Sequence, residues 1–399
     1  MTQSKALNIE SVLPAPDSSA RQQSERLITR ITESMHQQAG VIGFDQYMKM
    51  ALYEPGLGYY SAGSRKFGSE GDFVTAPELS PLFSQCLAQQ CKQILNELDS
   101  ASILELGAGT GVMAGDLLLA LEKQDCLPEK YYILEVSADL KQRQQEYLGK
   151  TLPHLNQKII WLDALPENKM TGVILANEVL DALPVKRFKK TATGFKELKV
   201  GLKEATFNWV ENDAEVSLRK TLQQLENNLS LRLPENFTSE INVDLGQWLS
   251  ALNGVLEQGV MLFIDYGYSA AEYYHPEKSD GSLLCHYRHR VHADPFVYPG
   301  LQDITCSVNF TAVAESADSL SMHVSGYTNQ TYFLFACGLE NLVADMNTLD
   351  SKTQTKIAQQ VRTLTMPEEM GERFKVMALT NNYDSVLQGF SLMDQRIRL

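Results

Sequence analysis

From residue 102 to residue 177 the chain alternates short apolar runs with longer helical patterns, and nothing else in the sequence restricts its possible folds so far. "SILELG" (102–107), "KYYILEV" (130–136), "KIIWLDAL" (158–165) and "GVILAN" (172–177) read as strands. "GVMAGDLLLALEK" (111–123) and "ADLKQRQQEYLGK" (138–150) read as helices. Strands alternating with helices of this length imply β-α-β units, and therefore a parallel sheet with both faces covered. The expected fold class is α/β.

The alternation breaks between 185 and 259 and resumes with "VMLFIDYG" (260–267). Inside the break, "GFKELKVGLKEATFNWVEN" alternates like a hairpin, and "VDLGQWLSALNGVLEQG" reads as an amphipathic helix ending at Gly259. Upstream, helical patterns run over about 24–38 and 44–52, and Ser80-Pro81 has the form of an N-cap followed by N1, opening a helix to about Leu98. At roughly 150 residues per domain, 399 residues suggest two or three units. The organisation expected is a disordered leader at 1–22, an N-terminal helical or lid segment at 23–100, a core from 101–184 and 260–399, and an α+β insertion at 185–259.

Composition excludes several classes of function. The net charge of −14 leaves no basic field to hold phosphate backbones, so nucleic acid is a poor partner, whereas a cationic protein segment would be attracted. No run approaches the ~18 apolar residues of a membrane span. The first twenty residues have no apolar h-region and no arginine, unlike a signal or transit peptide, and a cytoplasmic location is expected. Six scattered cysteines form neither C-x-x-C pairs nor a disulfide framework, which fits a reducing compartment without structural zinc.

The strongest local motif follows the first strand of the series: Glu105-Leu-Gly107-Ala-Gly109-Thr-Gly111. Glycines here permit a tight strand-to-helix turn and close approach of backbone to a ligand, and the new helix N-terminus offers N–H groups. Read from Gly109, the stretch to Ala114 also satisfies G-x-G-x-x-A, so a dinucleotide enzyme has to be considered. Glu135, ending the second strand, can accept both ribose hydroxyls of a nucleoside, and Asp163, ending the third, can meet an adenine edge. Glu105 completes E-x-G-x-G-x-G, the arrangement of S-adenosylmethionine-dependent methyltransferases with Rossmann-like sheets. An acid at that loop suits a sulfonium and an amino-acid tail better than a pyrophosphate.

At the fourth strand end the chain reads "ILANEVLDALP" (174–184), with Asn177, Glu178 and Asp181 following an apolar run. If a helix starts there, Glu178 and Asp181 lie on neighbouring faces and can converge on one guest. Paired carboxylates bind a guanidinium fork and draw charge from the nitrogen that must attack. Alternatively Asn177 is an N-cap and Glu178 a first-turn acid complementing the helix dipole. Asp265 and Tyr266, ending "LFIDY", face the same cleft, where Tyr266 either touches substrate or packs. "HYRHRVHADPF" (286–296) matches no metal-ligand spacing and reads as a solvated loop or a basic rim.

Over nearly the whole chain, from about Gly43 to Leu399, the sequence resembles the MidA family of S-adenosylmethionine-dependent methyltransferases. The segments that carry the resemblance are "MALYEPGLGYYS", "GDFVTAPELSPLF", "ILELGAGTG", "NEVLDALPV", "IDYGY", "YRHRVHADPFVYPGLQDIT", "GYTNQTYFL" and "MGERFKVMAL". Mitochondrial members of that family are arginine methyltransferases that assist respiratory complex I assembly. The resemblance implies a Rossmann-like class I methyltransferase sheet, with Gly107, Gly109, Gly111 and Glu135 around S-adenosyl-L-methionine; Glu105, Asp163 and Asn177 join the expected cofactor set from their places at the strand ends. The resemblance also implies that the 71–81 stretch, with Thr75 and Glu78 expected at the substrate, and the loop after the fourth strand help form the cleft; the strand-end reading adds Tyr266 at the substrate and Glu178 and Asp181 as catalytic residues. A protein substrate with an exposed arginine follows, and a homodimer is among the arrangements allowed. A small-molecule methyltransferase and a non-enzymatic assembly factor that keeps the fold are the alternatives. Where the family commonly has "DITAHVDF" this chain has "DITCSVNF", which puts Ser307 and Asn309 at the His and Asp positions.

Overall fold

The computed structural model describes residues 13–62, 74–344 and 350–399. They form two compact units, one comprising Val74–Asp181, Asp244–Tyr273 and Ser307–Leu399, the other Met1–Phe73, Ala182–Val243 and Tyr274–Cys306.

The first unit is built on one long sheet. Besides a two-residue strand at Val308–Asn309, its strands, in chain order, are β1 (Ser102–Leu106), β2 (Tyr131–Leu134), β3 (Ile159–Leu162), β4 (Met170–Asn177), β5 (Leu256–Tyr268), β6 (His323–Asn329) and β7 (Phe374–Asn381). Their order across the sheet is 3-2-1-4-5-7-6, with β7 antiparallel to both neighbours and strands 1 to 5 parallel. This is the Rossmann-like, mostly parallel sheet that the alternation of strands and helices predicts. The apolar runs read as strands because both faces are covered: every residue of β1 is buried, and so are Val173–Ala176 of β4 in sequence.

One face holds Ile103, Ile133, Val173, Leu175, Val260 and Leu262, which share a core with the helices Pro81–Glu97 and Val112–Glu122. Ser80 caps the first of these helices, accepting from Leu82 N at 3.3 Å, with Pro81 at N1. Leu82, Phe83, Cys86, Leu87, Cys91 and Ile94 turn this helix onto the sheet, so it belongs to the core and not to a separate N-terminal segment.

The helix expected to end at Gly259 stops at Val255, and β5 begins at Leu256. Gly259 is inside the ladder, paired with Gly172 of β4. A Cβ on Gly259 would lie 1.9 Å from the Gly172 carbonyl oxygen, so the residue marks backbone contact between strands and not a helix end. The division at 185–259 shifts accordingly: the helix Leu245–Val255 goes with the sheet, whereas 274–306 goes with 182–243. No described helix is long and apolar enough to cross a membrane.

In the second unit the expected hairpin is present as Gly194–Lys203 and Thr206–Asp213, extended by Lys186–Thr191, Thr238–Ile241 and Val41–Ile42. The helix Ser18–His36 starts earlier than the expected 24, because Asp17 caps it by accepting from Ala20 N at 2.9 Å. Residues 18–22 are therefore helical, and 1–12 lie outside the described residues. Leu27, Ile31 and Met35 recur at four-residue spacing and bury against Phe44 and Tyr47 of the helix Phe44–Tyr53. The stretch expected as a loop contains a three-stranded sheet of Leu284–Tyr287, Arg290–His292 and Asp303–Thr305. Its tight turn is made by exposed Arg288 and His289, at φ 47° and 60°, as a two-residue hairpin of primed type requires.

Candidate active site

In the sheet order 3-2-1-4-5, the chain leaves β1 toward one edge and returns at β4 on the other side of it. This is a topological switch point, and ligands of open α/β sheets bind outside the carboxyl ends of the strands at such a point. The loop after β1 and the turn after β4 therefore flank the candidate site.

The β1 loop is held in a conformation that glycine makes accessible. Gly107, Gly109 and Gly111 have φ of 62°, 54° and 83°, and Gly111 is the N-cap of the helix Val112–Glu122. A Cβ on Gly107 would come 3.5 Å from Val179 Cγ2, so the turn after β4 lies against this loop. Thr110 Oγ1 donates to Glu78 Oε1, which brings Glu78 from the short helix Ala76–Leu79 onto the glycine loop. Thr75 is the half-buried N-cap of that helix. The 71–73 part of the same stretch lies outside the described residues.

Glu135 follows β2 and is buried. Its Oε1 accepts from Ser137 N and its Oε2 from Gln144 Nε2, both at 2.9 Å. A carboxylate at this strand end, with two lone pairs on each oxygen, suits ribose hydroxyls. Gln144 also donates to Gly109 O at 2.9 Å and accepts from Trp161 Nε1 at 3.1 Å. One buried amide thus ties the glycine loop to Glu135 and to β3. The sequence carried a signal for it, since Gln144 sits in the middle of the buried stripe Leu140, Gln144, Leu148 on the helix Ala138–Thr151. Asp163, one residue past β3, is exposed and pairs with Lys141 Nζ at 2.7 Å.

Glu105 differs from expectation in its surroundings. Its side chain is 1% exposed and accepts from Tyr131 Oη at 2.6 Å on the adjacent strand. Burial pushes its carboxyl up to about 7, the Tyr131 hydrogen bond opposes that shift, and the charge of Glu135 adds to it.

No helix follows β4. Residues 178–184 form a turn, so neither the N-cap role for Asn177 nor the first-turn role for Glu178 applies. Glu178 adopts φ 53°, and its N–H donates to Ile264 O of β5 at 2.9 Å. Asn177 Nδ2 donates to Glu178 Oε1 at 3.2 Å. Asp181 is buried, and its N–H donates to Asp265 Oδ2 at 3.2 Å, beside that of Leu180 at 3.0 Å. Asp265 Oδ1 accepts from Tyr266 N at 2.9 Å. Burial, then the charges of Asp181 and Glu178, hold the Asp265 carboxyl well above the usual carboxylate range. Tyr266 packs edge-on against Phe374 at 5.7 Å. Glu178, Asp181 and Asp265 thus form a carboxylate cluster beside the glycine loop, a setting that disfavours anions and favours a cation. Among the described residues no group of three His, Cys, Asp or Glu is arranged to hold a metal ion.

The family model Methyltransf_28, described as an S-adenosyl-L-methionine-dependent methyltransferase, matches residues 86–328. The chain belongs to this family. Its MidA-type relatives include the mitochondrial protein arginine methyltransferase NDUFAF7 homolog of Drosophila melanogaster, 29% identical over 375 residues, covering 85% of this chain and 82% of the relative. Human NDUFAF7, named a mitochondrial protein arginine methyltransferase, is 26% identical over 382 residues, covering 85% and 80%. A crystal structure from Burkholderia thailandensis, bound to S-adenosyl-homocysteine, is 39% identical and covers 97% of this chain and 100% of that one, with a TM-score of 0.92. This MidA-family chain is therefore an S-adenosylmethionine-dependent methyltransferase, and the dinucleotide reading of the glycine loop falls away. Its residues fit that cofactor: the glycine cradle and the acceptor-rich Glu135 suit a nucleoside, and nearby acids suit a cation. At the departure from the usual MidA pattern, Asn309 caps the helix Phe310–Ser319, accepting from Ala312 N at 3.2 Å. Asp and Asn serve equally as caps, so that exchange preserves the local structure.

Proposed function

We propose that this chain methylates an arginine of a protein substrate, with Glu178 and Asp181 holding the guanidinium at the switch point. The observation that carries this reading is the convergence of Glu178, Asp181 and Asp265 on strand ends next to the glycine loop, at Val179. Relatives named as protein arginine methyltransferases, at 25–29% identity, support it.

S-adenosylmethionine supplies an electrophilic methyl group when bound. Gly107, Gly109, Gly111 and Glu135, together with Glu105, Asp163 and Asn177 in our reading, hold and shape its site. The residues of the turn bind and orient the acceptor. A guanidinium placed between carboxylates has its charge drawn toward the nitrogens that donate to them, which leaves the remaining nitrogen more nucleophilic. Thr75, Glu78 and Tyr266 border the acceptor in this reading, although Glu78 reaches the glycine loop and serves the cofactor side as well. Six buried cysteines, none of them in a disulfide, support a reducing, cytoplasmic setting.

The test is incubation of cell extract with methyl-labelled S-adenosylmethionine, followed by mass spectrometry of the labelled products. Methylarginine in a protein is the expected product, and label found only in small molecules rejects the reading. Glu178→Gln keeps shape but loses charge, and should retain S-adenosylhomocysteine affinity while transfer falls about 10²–10³-fold. Full activity in that variant would remove Glu178 from the acceptor site.

A further inference from the structure

We infer that Asp265 is a positioning residue for methyl transfer, clamping the 177–181 turn to β5 so that Glu178 is presented to the acceptor. The inference rests on the reading of Glu178 given above. Asp265 is fully buried in the strand next to β4, and its two carboxylate oxygens serve different parts of the backbone. Oδ2 accepts from the N–H groups of Leu180 and Asp181 at 3.0 and 3.2 Å, while Oδ1 accepts from Tyr266 N at 2.9 Å. One residue earlier on β5, Ile264 O accepts from Glu178 N at 2.9 Å. Ile264 and Asp265 together therefore anchor three of the four N–H groups between 178 and 181.

The anchored segment is strained. Glu178 has φ 53°, a region that residues with a Cβ seldom occupy unless the surroundings enforce it. Without its anchors the segment would gain by relaxing toward the ordinary helical region, carrying the Glu178 side chain elsewhere. A carboxylate is also an expensive choice at a buried position next to Asp181 and Glu178. What the carboxyl group provides here is an oxygen with lone pairs on each side, one for Tyr266 N and one for the Leu180 and Asp181 N–H pair. Asparagine would turn an NH2 group toward either Tyr266 N or the Leu180 and Asp181 N–H pair. Leucine would leave all three donors unpaired.

The test uses the full chain with S-adenosylhomocysteine bound. In Asp265→Asn, hydrogen exchange at the Leu180 and Asp181 amides should accelerate about tenfold or more, while exchange over 107–111 and cofactor affinity stay within about threefold. With labelled S-adenosylmethionine and extract, the turnover rate should fall about tenfold or more with the KM for cofactor unchanged. Asp265→Asn combined with Glu178→Gln should be no slower than Glu178→Gln alone, since Asp265 acts through Glu178. Multiplying penalties, or unchanged exchange at 180 and 181, would overturn the proposal. If Asp265→Asn no longer binds S-adenosylhomocysteine, Asp265→Ser, with a smaller acceptor, is carried through the same measurements and judged by the same outcomes. Full activity of Glu178→Gln overturns the acceptor reading instead, and the exchange data then judge the clamp alone.

Discussion

Glu105 shows how a single side chain sets a pH dependence. Its carboxyl is pushed from 4.5 up to about 7 in the fold, so the native state keeps a proton that the unfolded chain releases over that interval. Its contribution to stability is fullest below about pH 4.5 and is lost as pH rises through about 7. Glu105→Gln keeps a partner for Tyr131 and never ionises. In the ligand-free protein this variant should match wild type near pH 4.5 and exceed it by roughly 3 kcal/mol at pH 8, as read from urea unfolding at both values. A constant difference across that range would show that Glu105 does not titrate as the burial implies. Gln144 illustrates the complementary case, a neutral group whose value lies in its three partners and not in its charge.

At the scale of elements, the backbone contact between β4 and its neighbours sets how tightly the sheet is built beneath the site. A Cβ on Gly172, at φ 133°, would meet Ser102 O of β1 at 2.0 Å. Gly172→Ala should cost at least about 2 kcal/mol, through backbone strain and overpacking, and lower the urea midpoint. Gly246→Ala is the control, because a Cβ there meets only Ser316 Oγ, at 3.9 Å, and its midpoint should not fall.

Much of this level was legible in the sequence. Strands β1, β4 and β5 are buried on both faces along most of their length and so appear as apolar runs, and the caps of Ser80 and the glycine loop are local chemistry. The failures share a cause in contacts distant along the chain. A helix after Asn177 is a sound local reading, but Glu178 sits at φ 53°, outside the right-handed helical region, with its N–H given to Ile264 O of β5. Gly259 has the look of a helix stop until its pairing with Gly172 is known. The Tyr131 partner of Glu105, on the neighbouring strand, is likewise invisible to motif spacing. Within the candidate site, motif spacing singles out the glycines and Glu135, whereas Gln144, which ties them together, requires recognising one amide in a buried stripe as a signal.

For the whole molecule, cofactor binding and folding are linked. A ligand that binds only the native state stabilises it by about 2.7 kcal/mol at a hundredfold excess over Kd. S-adenosylhomocysteine should therefore raise the Tm of the full chain, and NAD should leave it unchanged. A shift with NAD alone would contradict the assignment of the glycine loop.

The order 3-2-1-4-5-7-6 also bears on synthesis. Strand β5 pairs along eight positions with β7, from Gly259↔Asn381 to Tyr266↔Phe374, and β7 is the last of the seven strands to leave the ribosome. Until then β5 presents an open edge of hydrogen-bonding groups carrying the apolar run Val260–Ile264, the kind of template on which nascent chains aggregate. The final strand of the sheet is therefore also its seal, and a ribosome that stalls before residue 374 releases a chain whose most adhesive edge has never been closed.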